Sequence, residues 1–211
     1  MDYNDYRREY VLGGLRQEML AASPIEQFDR WQQQAIVAGL KDPTAAALAT
    51  TTPDGELWQR IVLIKGVSDA GFVFYTNYNS NKGKALTASG YASLLFPWNE
   101  LDRQVTVSGS VSRVDESVSD AYFASRPRDS QLGAWASAQS TAIDSRDALE
   151  AAYDAVVERF GDGEIPRPPH WGGFCVAPKQ IEFWQGGARR LHDRLRYRLD
   201  NGNWQVTRLQ P

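Results

Sequence analysis

From about residue 45 onward the apolar residues of this chain stop recurring every three or four positions and begin to alternate, and that change of period constrains the fold more than any other feature. In Gln104-Val105-Thr106-Val107-Ser108-Gly109-Ser110-Val111 apolar and polar side chains alternate, the mark of a strand with one buried face. Residues 45–52 and 56–65 flank Pro53-Asp54-Gly55 and predict a β-hairpin. Residues 72–76 and 91–98 read as further strands, with a short helix over 82–89 between them. Short strands joined by turns, with few helices between, favour an antiparallel barrel over a doubly wound parallel sheet.

Helices are expected at the margins of this pattern. Ser23-Pro24-Ile25-Glu26 combines a capping serine, a first-turn proline and a glutamate placed to close a capping box. Phe28, Trp31, Ala35, Ile36 and Leu40 then recur at helical spacing, predicting an amphipathic helix to about Gly39. Two more helices are predicted over 116–125 and 145–160, and 161–169, rich in Gly and Pro, reads as a linker. Four strands follow, at 174–176, 180–184, 194–199 and 204–209, the last two joined at Asp200-Asn201-Gly202. This tail is either a second small sheet or an extension of the first. There is no internal repeat and no low-complexity tract.

Composition removes several functional classes. A chain of 211 residues suits one domain, and a net charge of −3 offers no field for nucleic acid or an anionic membrane. No stretch approaches the roughly 18 apolar residues of a membrane span, and the polar start Met1-Asp2-Tyr3-Asn4-Asp5 does not read as a secretory signal. The expectation is a cytoplasmic protein. Cys175 is the single cysteine, so there is no internal disulfide and no Cys-based zinc site. It is expected to be a small buried strand residue. With His170 and His192 the only histidines, no metal site is expected. Neither a dinucleotide fingerprint, a P-loop nor a G-x-S-x-G elbow is present.

What remains is a set of cations, hydroxyls and amides at strand ends and loops. Arg60 and Lys65 bracket Ile61-Val62-Leu63-Ile64, and Ser80-Asn81-Lys82 leads into a helix. Tyr122 and Arg126 lie one helical turn apart, with Arg128 and Ser130 close behind. Such groups suit a phosphate monoester, because guanidinium and ammonium neutralise it while hydroxyls fill its remaining acceptor sites. They also suit an ordinary solvated surface. In Arg189-Arg190-Leu191-His192-Asp193-Arg194 three arginines surround a histidine able to exchange protons near neutrality. Residues alone lead to a strand-rich protein with candidate anion sites.

Read together, the segments resemble the pyridoxine (pyridoxamine) 5'-phosphate oxidases. The matching stretches include Arg7-Arg8-Glu9-Tyr10, Gln59-Arg60-Ile61-Val62-Leu63-Ile64-Lys65, Phe74-Tyr75-Thr76-Asn77 and Leu94-Leu95-Phe96-Pro97-Trp98. They continue through Arg103-Gln104-Val105, Ser125-Arg126-Pro127-Arg128-Asp129-Ser130-Gln131, Gly133-Ala134-Trp135, Gln139-Ser140 and Trp171-Gly172-Gly173-Phe174. They end in Ile181-Glu182-Phe183-Trp184-Gln185-Gly186 and Arg190-Leu191-His192-Asp193-Arg194, in the family's order and nearly end to end.

The resemblance implies a mainly β fold, an antiparallel FMN-binding split β-barrel with peripheral helices, working as a homodimer with FMN at the subunit interface. It implies a single domain over 1–211, with a lid segment at 1–22, barrel core and helices at 23–160, and a dimerisation and active-site region at 170–211. Arg60, Ile61, Val62, Leu63, Lys65, Tyr75, Thr76, Lys82, Gln104, Gln139 and Ser140 match FMN-holding positions. So do Trp184 and Arg194, which in the family come from the partner subunit. Lys65, Tyr122, Arg126 and Ser130 match the grip on the substrate phosphate. Arg190 and His192 match the catalytic residues over the substrate ring, and Arg7 and Tyr10 match a segment covering the site. The implied reaction is oxidation of pyridoxine 5'-phosphate or pyridoxamine 5'-phosphate by O2 to pyridoxal 5'-phosphate. Alternatives are a related flavin oxidase of the phenazine-biosynthesis type and a non-catalytic flavin- or vitamer-binding module. One departure stands out: the family usually has Ser-Arg-Lys where this chain has Ser80-Asn81-Lys82, so weaker FMN binding is expected.

Overall fold

A computed structural model describes residues 9–10 and 13–211. Helix α1 (Pro24–Val37) starts where the capping pattern predicts: the Ser23 hydroxyl accepts from Ile25 N at 3.2 Å and Pro24 fills the first turn. The capping box does not close. Glu26 pairs instead with Arg30 at 2.5 Å, one turn on. Phe28, Trp31 and Ala35 are buried as the period demands, whereas Ile36 is 47% exposed because it falls off the inward stripe.

The strands are β1 (Ala45–Thr51), β2 (Leu57–Leu63), β3 (Gly66–Ser68), β4 (Gly71–Asn77), β5 (Tyr91–Trp98), β6 (Arg103–Arg113), β7 (Trp171–Gln185), β8 (Asp193–Asp200) and β9 (Asn203–Leu209). All belong to one antiparallel sheet with the order β2-β1-β5-β6-β7-β4-β3, while β8 pairs with β7 and β9 with β8. The tail therefore extends the first sheet. The segments 174–176 and 180–184, expected as two strands, form the single strand β7. Pro178 falls in the gap between them and stands opposite Gly109 where the β6–β7 register shifts, a place where a missing N–H is tolerated. Gly109 is required there, since a Cβ would lie 1.9 Å from the Ala177 carbonyl oxygen. Beyond this irregularity β7 changes neighbour, pairing with β4 through Trp171–Val176 and with β8 from Gln180 on.

One face of the sheet is the core. Leu48, Leu94, Val105, Val107, Ile181, Phe183, Leu195 and Tyr197 are fully buried, and Phe28 joins Phe72 and Phe96 at 4.9 and 4.8 Å between ring centres. Burying each such side chain contributes roughly 1.5–3 kcal/mol. The opposite face is open. In register, Ile61, Ala47, Leu95, Thr106, Glu182, Arg196 and Thr207 form a row across it, none of them buried.

Helices α2 (Asn81–Ser89), α3 (Glu116–Ala124), α4 (Arg128–Ala136) and α5 (Arg146–Phe160) complete the elements that matter below. Neither α4 nor β3 stands out in the sequence pattern. Helix α4 buries only Leu132, so it shows almost no apolar period. A second small core of Phe123, Leu132, Ile165 and Trp171 ties α3 and α4 to β7. The linker 161–169 takes part in it: Ile165 is buried, and Arg128 donates to the carbonyls of Gly161 and Gly163. Cys175 lies in β7 as expected but is only half-buried, with burial raising its thiol pKa. Among the described residues no helix is long and apolar enough to cross a membrane.

Candidate active site

Where β2, β4, α2 and the α3–α4 turn meet, they enclose an open cavity of about 640 Å³. Strand β2 and the residues after it supply Ile61, Val62, Leu63 and Lys65; β4 supplies Tyr75, Thr76 and Asn77. Lys82 comes from the first turn of α2, Tyr122 and Arg126 from α3 and just beyond it, Ser130 from α4, and Gln139 from the loop that follows. Apart from Asn77, these belong to the set singled out above, from segments far apart in sequence. Among the described residues, none that lines it carries a carboxylate.

Local chemistry fixes the cations. The Ser80 hydroxyl caps α2 by accepting from Gly83 N at 3.3 Å and donates to the Asn77 carbonyl at 2.7 Å. A Cβ at Gly83 would lie 2.3 Å from the Tyr78 carbonyl oxygen, so glycine lets the helix start this close to β4. Lys82 Nζ then reaches Gln139 Oε1 at 2.9 Å, Thr76 Oγ1 at 3.1 Å and Ser80 Oγ at 3.4 Å, all neutral acceptors. Burial, and secondarily the charge of Arg60, lowers its pKa to about 8. Arg60 does not line the cavity; its guanidinium donates to Thr50 Oγ1 at 2.7 Å and to the carbonyls of Leu48 and Trp58 at 3.1 Å.

Opposite, three aromatic rings lie nearly parallel. Tyr75 stacks on Tyr122 at 3.8 Å and on Trp171 at 5.5 Å. The Arg126 guanidinium carbon sits 4.6 Å from the Trp171 ring centre, and its Nη1 is buried without a hydrogen-bond partner. Burial lowers the pKa of Arg126 and raises those of Tyr75 and Tyr122. Desolvated cations with unused donors favour an incoming anion. Trp171 was quoted above only as part of a motif; its role in orienting Arg126 depends on tertiary packing that spacing does not reveal. Asn77 also lines the cavity, and its Oδ1 accepts from Asn79 N at 2.8 Å.

A second group lies elsewhere on the chain. In register, Gln104 stands beside Trp184, and Trp184 beside Arg194, on the open face of the sheet. Gln104 is thereby separated from Tyr75 and Thr76. Arg194 is held by Glu182 through two contacts, at 2.7 and 3.1 Å, which raise its pKa. His192 packs against Trp184 at 4.7 Å and Tyr10 at 5.2 Å. Its Nδ1 accepts from Gly187 N at 3.1 Å, which places the proton of the neutral ring on Nε2. Arg190 is exposed, 5.7 Å from the Tyr10 ring centre, and both Arg189 and Arg190 hold left-handed backbone, at φ 56 and 62. None of this second group lines the large cavity. Ser140 is exposed at φ 70 beside Gln139, Asn81 is exposed at the start of α2, and Arg7 lies outside the described residues. Among the described residues no three His, Cys, Asp or Glu side chains converge as a metal site would need.

Residues 32–160 match the family model described as pyridoxamine 5'-phosphate oxidase, and residues 171–211 match that of the pyridoxine 5'-phosphate oxidase C-terminal dimerisation region. The chain is 51% identical, over the full length of both, to the pyridoxine/pyridoxamine 5'-phosphate oxidase of Teredinibacter turnerae. It is 49% identical, again over both full lengths, to that of Vibrio cholerae. Among solved structures, PhzG from Burkholderia lata 383, in complex with tetrahydrophenazine-1-carboxylic acid, superposes with a TM-score of 0.87 at 36% identity, covering 92% of this chain and 95% of that one. An FMN-binding protein from Nostoc punctiforme shares the fold at a TM-score of 0.70 and 15% identity, covering 91% of this chain and 100% of that one.

Proposed function

The chain belongs to the pyridoxamine 5'-phosphate oxidase family, and on that premise we propose that it oxidises pyridoxine 5'-phosphate and pyridoxamine 5'-phosphate at C4' with O2. The alcohol yields pyridoxal 5'-phosphate and H2O2; the amine consumes a water as well and releases ammonia. The cofactor is a flavin, and FMN is the form the site suits. Lys82 is ringed by neutral oxygens with Arg60 behind it, and Ile61, Val62 and Leu63 offer an apolar wall to a flat ring. Bound there, FMN would supply the two-electron acceptor and the route to O2.

The chain's own residues supply position and electrostatics. Arg60, Lys82, Gln139 and Ser140 serve the FMN phosphate, with Tyr75 and Thr76 beside it. Lys65, Tyr122, Arg126 and Ser130 hold the phosphate of the vitamer, and fixing that end holds C4' in place, a large source of rate. The observation that carries this reading is Arg126, a half-buried guanidinium whose buried Nη1 is unused, beside Tyr122 and Ser130 in a cavity where no described lining residue carries a carboxylate. Arg190 closes over the substrate ring, and His192, with Nδ1 engaged by Gly187, orients the substrate or moves its proton through Nε2. Tyr10 covers the site.

The separation of Gln104, Trp184, Arg190, His192 and Arg194 from the cavity supports a homodimer in which each site joins the cavity of one chain to the second group of its partner. The open sheet face, with exposed Ile61 and an Arg196 Nε that is buried without a partner, supports the same arrangement. We assign the dimer to the cytoplasm. The likeness to PhzG favours one competing reading, a flavin oxidase acting on a phenazine precursor. The full-length relatives at about 50% identity weigh against it. The test is the visible spectrum of the purified protein, followed by addition of pyridoxine 5'-phosphate under air. Flavin bands with aldehyde and peroxide appearing together are expected. Flavin bands without turnover would transfer the site to another aromatic substrate, and no binding of added FMN would overturn the proposal.

A further inference from the structure

Side chains at the start of β8 and the end of β9 hold the backbone of the N-terminal segment. Asp193 Oδ2 accepts from Leu15 N at 2.9 Å, and Arg208 Nη2 donates to the Leu15 carbonyl oxygen at 2.9 Å. Arg208 Nη1 closes the ring on Asp193 Oδ1 at 2.5 Å. Both backbone groups of Leu15 are thus held by one ion pair, while its side chain, 4% exposed, sits in the main core. Residue 14 is glycine, and a Cβ there would lie 3.3 Å from Asp193 Oδ2. A short way upstream, Tyr10 packs edge-on against both Trp184 and His192, at 5.7 and 5.2 Å. Gly186 makes room for it, since a Cβ there would stand 2.6 Å from the Tyr10 ring.

We propose that Asp193 and Arg208 are positioning residues that clasp the backbone at Leu15 and thereby hold Tyr10 over His192. Three consecutive residues of one strand end then divide the work. His192 meets the ring cluster, Asp193 anchors the covering segment, and Arg194 turns to the open face with Glu182. Neither Asp193 nor Arg208 lines the large cavity, and both meet the covering segment at the Leu15 backbone, so the clasp acts through the segment it holds. Its contribution to catalysis rests on the reading of Tyr10 as a cover for the site.

A double-mutant cycle combined with amide exchange tests this. In Asp193→Ala, exchange at the Leu15 amide is expected to quicken about tenfold or more, while amides in the middle of β7 keep their wild-type rates. Asp193→Asn, which retains an acceptor for Leu15 N–H, should recover part of that protection and remains informative if the alanine variant folds poorly. In turnover of pyridoxine 5'-phosphate, Asp193→Ala should raise KM more than it lowers kcat, and adding it to Tyr10→Ala should cause no further loss. Unchanged Leu15 exchange, or losses that multiply in the double variant, would overturn the clasp. If the wild type turns over no vitamer, the proposed function fails, and exchange at Leu15 still decides the clasp alone.

Discussion

In the proposed site Lys82 should make the binding of a phosphate-bearing cofactor depend on pH in a way that can be calculated. Its amine is lowered to about 8, mostly by burial, and its neighbours within hydrogen-bond reach are the uncharged Thr76, Ser80 and Gln139. A bound phosphate favours the protonated amine, so binding above pH 8 must first restore a proton. For a single group with a pKa of about 8 the apparent Kd rises as 1 + 10^(pH − 8), which is about tenfold between pH 7 and pH 9. Titrating the apoprotein with FMN, followed by quenching of flavin fluorescence, would measure this. Riboflavin, which lacks the phosphate, should bind weakly with no such slope. Lys82→Met should bind FMN poorly and lose the slope. The sign for stability is opposite. Because the folded pKa lies below the unfolded value near 10.5, the unfolded chain binds more protons between about pH 8 and 10.5, and Lys82 destabilises the apoprotein less as pH rises through that window. An FMN affinity that stays flat to pH 9, or a slope that survives in Lys82→Met, would refute the reasoning.

Three further outcomes are expected. Arg126→Ala removes charge-assisted hydrogen bonds of about 1.5–3 kcal/mol and should cut kcat/KM for the phosphorylated vitamer roughly 10- to 150-fold, with FMN affinity nearly unchanged in a fluorescence titration. Asn81→Arg restores a cation at an exposed position at the start of α2 and should tighten FMN by about 0.5–1 kcal/mol, or roughly two- to fivefold; no tightening of apoprotein binding would dismiss the importance of the missing charge. Gly109→Ala would place a methyl group 1.9 Å from the Ala177 oxygen. It should destabilise the chain by about 3 kcal/mol, read as a Tm lowered by roughly 6–12 °C.

Much of the fold is legible because one face of each central strand is buried and the other is not. The alternation of 104–111 and the run 91–98 translate directly into β6 and β5. What fails is instructive. The unbroken β7 is missed because local patterning does not register that its partner strand is irregular at Gly109, opposite Pro178, and α4 is invisible because a helix that buries a single leucine has no period. The site divides in the same way. Tyr122 and Arg126 can be paired from spacing alone. The row of Gln104, Trp184 and Arg194 depends on register between strands distant in sequence, and the guanidinium of Arg126 over Trp171 depends on packing between α3 and β7. Only a family resemblance reaches those residues without coordinates.

Strand β7 carries Trp171 against the cavity at one end and Trp184 on the open face at the other. In the proposed dimer those two ends serve different sites, and this has a genetic consequence. A chain damaged only in its cavity, at Arg126, still lends a sound Trp184 end to its partner, and a chain damaged only at Trp184 still offers a sound cavity. Co-expressed, two such inactive alleles would assemble mixed dimers in which both lesions fall in one site and the other is intact. Alleles of this kind complement each other, whereas a lesion at the Gly109–Pro178 irregularity, midway along the strand, harms both sites and is rescued by neither.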